Sequence, residues 1–289
     1  MQLLSRRNSF AFDPEGTFVF QAGGKGGGVY GVAAGEKVGD LAVLLAFLNS
    51  RVADYLIKQT SSVYGGRFYS YADQFLRELP VANEIIEAKS KSSRLLAQIA
   101  ASLYDVANQH CQLQRQAASF PASFEGGLTQ YELDSVAKLC TGRPSSAQLT
   151  LELESIVVEK ALYGFEVRFG SQQDFEFEHR EHAECLTEAL RCRKRRTLPL
   201  KDVLGWRLPV KPEGCVALLK MLEETRNNLD RRAETLRSSE DELNDLVYRI
   251  YGVTPHERKV IEDFLTRFSS LPAASTRQEA EEDESEVEE

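Results

Sequence analysis

Long apolar runs are missing from this 289-residue chain. The longest, residues 41–48, falls far short of the roughly 20 residues a membrane-spanning helix needs. Arg6 and Arg7 stand near the N-terminus with no apolar stretch behind them, so no signal peptide is expected. Cysteine is scarce: the five residues Cys111, Cys140, Cys185, Cys192 and Cys215 are scattered and odd in number. That excludes a disulfide framework and implies reduced thiols in a cytoplasmic protein. No nucleophile–base pair and no carboxylate pair stands out, so the sequence offers no ready active site. The hydrophobic content of 42% and charged content of 27% are those of an ordinary globular protein.

The net charge of −9 argues against nucleic acid until its distribution is considered. Eight acidic residues crowd positions 279–289, and without them the net charge is about −1. That tail has no apolar periodicity and is expected to be disordered. The most basic run is Arg191-Cys192-Arg193-Lys194-Arg195-Arg196. It reads either as a phosphate-binding patch or as a solvated helix end whose cations suit the helix dipole.

The longest periodic pattern lies in residues 216–250. Leu219, Leu222, Arg226, Leu229, Ala233, Leu236, Glu240, Leu243, Val247 and Ile250 alternate spacings of three and four. No Pro or Gly interrupts them. The pattern predicts one helix roughly 50 Å long with a narrow apolar stripe. A second stripe, Leu96, Ile99, Leu103, Val106, His110 and Leu113, offers a partner. An intrachain antiparallel pair is expected, with His110 as a packed residue. Arg226 and Glu240 disfavour the rival, a symmetric homodimer, because each would face its own charge.

Residues 9–34 read as a β-region, with Phe10, Phe12, Phe18 and Phe20 flanking the Asp13-Pro14-Glu15-Gly16 turn signal. Gly26, Gly28 and Gly31 formally match a dinucleotide-binding glycine pattern. That pattern must open a helix directly, whereas Val29-Tyr30-Gly31-Val32 looks extended. Lys25 lacks the Gly-Lys-Ser/Thr context of a phosphate loop. A flexible hairpin tip is the better reading. Asp40 caps a helix whose face carries Leu41, Leu44, Leu45, Leu48, Val52, Tyr55 and Leu56. The following segment, residues 61–71, gathers Tyr64, Arg67, Phe68, Tyr69 and Tyr71 around two glycines. It is either a recognition segment or a half-buried strand with its turn.

Residues 83–118 read as helical. Thr129 and Glu132 suggest a capping box for a helix ending near Gly142. Residues 149–163 are expected to form another helix, ending at Leu162-Tyr163-Gly164-Phe165. Val167 and Phe169, then Phe175 and Phe177, predict a β-hairpin. His179, His182, Cys185 and Cys192 invite a zinc reading, but two His before two Cys at spacings of three, three and seven fit no familiar site, and no metal is expected. Pro199, Pro209 and Pro212 around Trp206 suggest an irregular connector. Gly252 ends the long helix, and Thr254-Pro255-His256-Glu257 caps the next one.

Two stretches carry a resemblance. The stretch Leu41–Leu79, with Leu44-Leu45-Ala46-Phe47-Leu48-Asn49-Ser50 followed by Tyr64-Gly65-Gly66-Arg67-Phe68-Tyr69 and then Leu79-Pro80, resembles the C-terminal specificity region of TaqI-type adenine-specific DNA methyltransferases. The same region occurs in single-chain restriction–modification enzymes. Residues 243–257 resemble the terminal helix of those enzymes. The resemblance spans about half of the chain. It implies that Leu48-Asn49-Ser50 sits on a helix packed against a target-recognition sheet. It also implies double-stranded DNA and a methyltransferase catalytic domain or subunit as partners. S-adenosylmethionine is then expected on that catalytic partner and no cofactor on this chain. The family's catalytic loop, Asn/Asp-Pro-Pro-aromatic, is absent, since the chain has no Pro-Pro pair.

The fold expected is α+β and mainly helical, with small β-containing recognition subdomains mounted on a long antiparallel helix pair. The divisions expected are residues 1–81 (recognition), 82–142 (first seam), 143–210 (a second α+β lobe), 211–270 (long and terminal helices) and 271–289 (acidic tail). Lys25, Tyr64, Arg67, Tyr69, Arg193, Arg195 and Arg196 are the candidate DNA-binding residues. The function expected is DNA target recognition without catalysis. The alternative is a coiled-coil interaction module.

Overall fold

The structure, a computed structural model, describes residues 4–5, 8–11, 40–64, 68–87, 89–142, 150–153, 156–169, 173–192 and 197–269. The Gly-rich stretch at 23–28 and the acidic tail, including the expectations placed on them, lie outside those residues. In chain order the elements open with β1 (Leu4–Ser5), α1 (Leu41–Leu48), α2 (Arg51–Thr60), β2 (Val63–Tyr64), β3 (Phe68–Ser70), α3 (Asp73–Arg77), α4 (Asn83–Glu87) and α5 (Lys91–Ala118). They continue with α6 (Ala122–Glu125), β4 (Leu133–Ser135), α7 (Val136–Leu139), β5 (Cys140–Gly142), β6 (Thr150–Glu152), β7 (Ile156–Ala161), β8 (Gly164–Phe169) and β9 (Gln173–Phe177). The last are α8 (Arg180–Arg191), β10 (Thr197–Pro199), α9 (Leu200–Leu204), β11 (Arg207–Pro209), α10 (Pro212–Ile250) and α11 (Pro255–Ser269). The fold is α+β and mainly helical, as the sequence predicts. Two compact units divide it: residues 1–105 with 236–289, and residues 106–235. The first unit is therefore discontinuous in sequence, whereas the expected divisions run consecutively.

In the first unit, Asp40 caps α1 through its carboxylate, which accepts from the Ala42 N–H at 2.8 Å. The sequence suggests one continuous helical face from Leu41 to Leu56. The structure breaks it at Asn49 and restarts it with Ser50, whose hydroxyl accepts from Ala53 N–H at 3.2 Å. The core joins Val43, Phe47, Ile85, Leu96, Ile99, Leu243, Leu246, Val247 and Ile261. Burying each such side chain contributes roughly 1.5–3 kcal/mol. Tyr251 stacks on Phe47 with centroids 5.4 Å apart. Its hydroxyl donates to Pro80 O at 2.8 Å and accepts from Ala82 N–H at 3.1 Å. Gly252 takes a positive φ of 64°, which lets the chain leave α10 at low steric cost. Thr254 and Glu257 form the reciprocal capping box of α11, with Thr254 N–H donating to Glu257 Oε2 at 2.8 Å.

In the second unit, β5, β9, β8 and β7 form a four-stranded antiparallel sheet in that order. Val167, Phe169, Phe175 and Phe177 turn to its inner face and share a core with Ala183, Leu186, Ala189 and Leu190 of α8. Two small pairs, β4 with β11 and β6 with β10, complete the unit. Here three expectations fail. Within residues 149–163 the described residues hold two strands, β6 and β7, instead of a helix: β7, with β-branched Ile156, Val157 and Val158, pairs with β8 over its full length. Thr129 and Glu132 cap no helix; Glu132 O instead accepts from Val210 N–H at 2.9 Å beside the β4–β11 pair. The proline-rich connector is ordered as β10, α9 and β11, and Trp206 within it is buried against Phe120 at 5.0 Å.

The 39-residue α10 and the 28-residue α5 match the two apolar stripes. Their shared burial is concentrated at the ends. Leu96 and Ile99 join Leu243 and Val247 in the first unit's core, while Ala117 joins Leu218 and Leu222 in the second unit's. Leu103, Val106, Leu113, Ala233 and Leu236 are only half-buried, so a continuous lengthwise pair is not clearly drawn. His110 is likewise half-buried and bonds to Gln114 on its own helix.

Candidate nucleic-acid interface

Within residues 61–71, β2 and β3 pair antiparallel, with Val63 opposite Tyr69 and Tyr64 opposite Phe68. On its other edge, β3 pairs with β1 through Leu4 opposite Ser70 and Ser5 opposite Tyr69. Strands of two or three residues pair too briefly to hold a sheet in water by themselves, so this three-stranded sheet needs an anchor.

A buried polar cluster supplies it. Asp54 of α2 is 6% exposed. Its Oδ1 accepts from Tyr71 Oη at 2.6 Å and from Asn8 N–H at 3.1 Å. Its Oδ2 accepts from Lys58 Nζ at 2.9 Å. The Lys58 ammonium also lies 5.4 Å from the Tyr69 ring centre. Burial, reinforced by the Asp54 charge, pushes the phenols of Tyr69 and Tyr71 above their ordinary range. Both therefore stay neutral, and Tyr71 acts as a donor. Replacing only one member of such a cluster strands the others without water.

A second strap holds the N-terminal segment. Asn8 Nδ2 donates to Leu48 O at 2.7 Å and to Ser50 O at 3.0 Å. Asn49 Oδ1 accepts from Phe10 N–H at 2.8 Å, and Asn49 Nδ2 donates to Phe10 O at 3.0 Å. Leu48-Asn49-Ser50 thus fastens the chain at residues 8–10 to the α1–α2 junction.

The two stretches that carry the resemblance meet in this unit. Arg51 N–H donates to Asn244 Oδ1 at 2.7 Å, across 193 residues of sequence. Around that bond runs a line of alternating charge. The Arg51 guanidinium lies 2.7 Å from Asp241 and 3.3 Å from Glu262. Arg258 lies 2.9 Å from the same Glu262 and 2.6 Å from Asp245. Arg258 also covers the Tyr248 ring at 5.1 Å.

The sequence-nominated residues fare unevenly. Tyr69 is 3% exposed and packs with Ile57 and Tyr71, so it belongs to the anchor and offers no surface to a ligand. Tyr64 lies in β2, but its side chain is outside what the structure describes. Lys25, Arg67, Arg193, Arg195 and Arg196 lie outside the described residues. Sequence reasoning passed over Asp54, Lys58, Asn8 and Asn244. An i, i+4 Asp–Lys pair was visible at positions 54 and 58, but nothing local said that it would be buried.

Among the described residues no group of His, Cys, Asp and Glu is arranged to hold a metal ion. The four residues of the zinc reading have other surroundings. His179 is exposed. His182 Nε2 lies 2.9 Å from Pro209 O, Cys185 donates to Cys215 O at 3.0 Å, and Cys192 donates to Leu222 O at 3.7 Å. Side-chain hydrogen bonding from Cys185 and then His182 to the Cys215 sulfur outweighs burial and holds that thiol below its ordinary value. Burial pushes Cys185 up. Cys185 and Cys215 have no exposed surface, and Cys192 has little.

No family model matches the chain, and no curated protein or solved structure matches it either. Among the described residues no helix is long and apolar enough to cross a membrane.

Proposed function

We propose that this chain is the DNA target-recognition portion of an adenine-specific DNA methyltransferase or restriction–modification enzyme, without the catalytic loop. One observation carries the reading. The two resembling stretches, distant in sequence, meet through the Arg51–Asn244 bond, and the hairpin is anchored on the same helix through Asp54. In this reading Lys25, Arg67 and the run Arg193, Arg195 and Arg196 meet phosphates or base edges. Tyr69 acts behind them as a positioning residue. The partner supplies S-adenosylmethionine and the pocket that receives the flipped adenine. The setting is cytoplasmic phage defence.

The test is selection from a random duplex pool by the purified chain at low salt, followed by salt titration of the enriched pool. Enrichment of one short adenine-containing motif supports the reading. R195A/R196A weakens binding and flattens its salt dependence. Unchanged affinity and slope would remove that patch. Methyl transfer from labelled S-adenosylmethionine by the chain alone would overturn the non-catalytic assignment.

A second reading, a coiled-coil interaction module, draws on the half-buried stripes of α5 and α10. It predicts partner capture that survives R67A and R195A/R196A.

A further inference from the structure

The β7–β8 hairpin of the second unit has an unusual tip. Ala161 pairs with Gly164, so Leu162 and Tyr163 form a two-residue turn. They are 87% and 90% exposed, the most exposed large apolar side chains among the described residues. The backbone is closely packed at the base of the turn: a Cβ on Gly164 would lie 2.2 Å from Phe177 O, so only glycine fits there. Six register pairs tie β7 to β8 behind it. A rigid hairpin therefore holds a leucine and a tyrosine in water, where both lose the benefit of burial.

Beside the tip, Ala161, Leu162, Tyr163, Gly164, Glu166 and Glu176 line a shallow hollow of about 140 Å³. The sheet surface that continues from it is acidic. Glu159 pairs with Glu166, and Glu166 with Glu176, which puts three carboxylates side by side across β7, β8 and β9. Like charges directly opposite each other in a sheet are unfavourable. Arg168 relieves only part of this, lying 2.9 Å from Glu159 and 3.1 Å from Glu166. No cation is paired with Glu176 among the described residues.

We propose that this tip and hollow form a docking site for a protein segment that presents an arginine or lysine beside an aliphatic or aromatic side chain. The apolar group would cover Leu162 and Tyr163, and the cation would enter the hollow between Glu166 and Glu176. Charge complementarity selects this occupant. A nucleic-acid backbone would meet three carboxylates. A second copy docked by the same face would bring two acidic rows together. The site does not rest on the DNA reading, because none of its residues is among those that reading assigns to DNA.

The test uses the full chain and a displayed library of random twelve-residue peptides. Folding of L162S/Y163S and E176Q is checked by circular dichroism and thermal melting; all substituted positions are on the surface, so both are expected to melt like the parent. Enriched peptides are expected to share an Arg or Lys next to a large apolar residue. Their binding falls at least tenfold in L162S/Y163S, and several-fold in E176Q, with the E176Q variant less sensitive to salt. The proposal is overturned if no motif enriches, if enriched peptides bind the two variants as tightly as the parent, or if sedimentation shows that the tip mediates self-association lost in L162S/Y163S.

Discussion

Tyr71 donates its phenolic hydrogen to Asp54 at 2.6 Å inside the first unit, where Tyr71 has no exposed surface. Asp54 in turn holds Lys58, whose side chain is only 2% exposed. A hydrogen bond to a buried charge contributes about 1.5–3 kcal/mol. Removing the carboxylate costs more, because the ammonium is left buried alone. D54A is therefore expected to lose about 3–5 kcal/mol in urea unfolding, and Y71F about half of that. If D54A and Y71F unfold with the same midpoint, Lys58 is not held as described.

The Arg51 contacts separate a buried backbone bond from surface ion pairs. Arg51 and Asp241 side chains are 38% and 58% exposed, so their pair is worth about 0.2–1 kcal/mol in a double-mutant cycle. Asn244 is 5% exposed and satisfies the Arg51 N–H at the start of α2. N244A is expected to cost about 1–3 kcal/mol, several times the ion pair. An equal or larger coupling between Arg51 and Asp241 would reverse that ranking.

The β7–β8 turn gives a contrast between neighbours. G164A drives a Cβ into Phe177 O and is expected to destabilise the second unit by about 2 kcal/mol or more. L162S/Y163S, one and two positions away, should change stability by about 0.5 kcal/mol or less. Thermal melting of both variants checks the difference.

The α11 cap predicts a pH effect. Backbone and hydroxyl hydrogen bonds from Thr254 lower the Glu257 carboxyl below its ordinary 4.5. A depressed carboxylate stabilises the fold above its ordinary value and loses that contribution as pH falls through the lowered one. T254A should lower Tm by roughly 2–4 °C at neutral pH. The gap to the parent should narrow as pH falls below 4.5. A gap that stays constant with pH would separate the cap from Glu257.

Local chemistry was legible where a residue acts on its own neighbours. Asp40, Gly252, Thr254 and Glu257 announce helix ends because a cap is made within four residues. Phe175 and Phe177 opposite Phe165 and Val167 show the hairpin by alternation. The segment at 149–163 was misread because Leu151, Leu153, Ile156 and Val157 satisfy a helical spacing as well as an extended one. Pairing with β8 and cover from α8 decided for strand, and neither partner is local.

The sequence by itself determined the mainly helical α+β class, the two long helices with their stripes, the caps, the hairpin at 167–177 and the missing Pro-Pro loop. Each follows from spacing or from a residue's own backbone preference. Only the tertiary structure decided that Tyr69 faces the core, that Asp54 and Lys58 are buried, that Asn244 satisfies Arg51, and that Leu162 and Tyr163 stand in solvent. Those outcomes depend on which segments distant in the chain come to lie together, and burial is a property of that assembly.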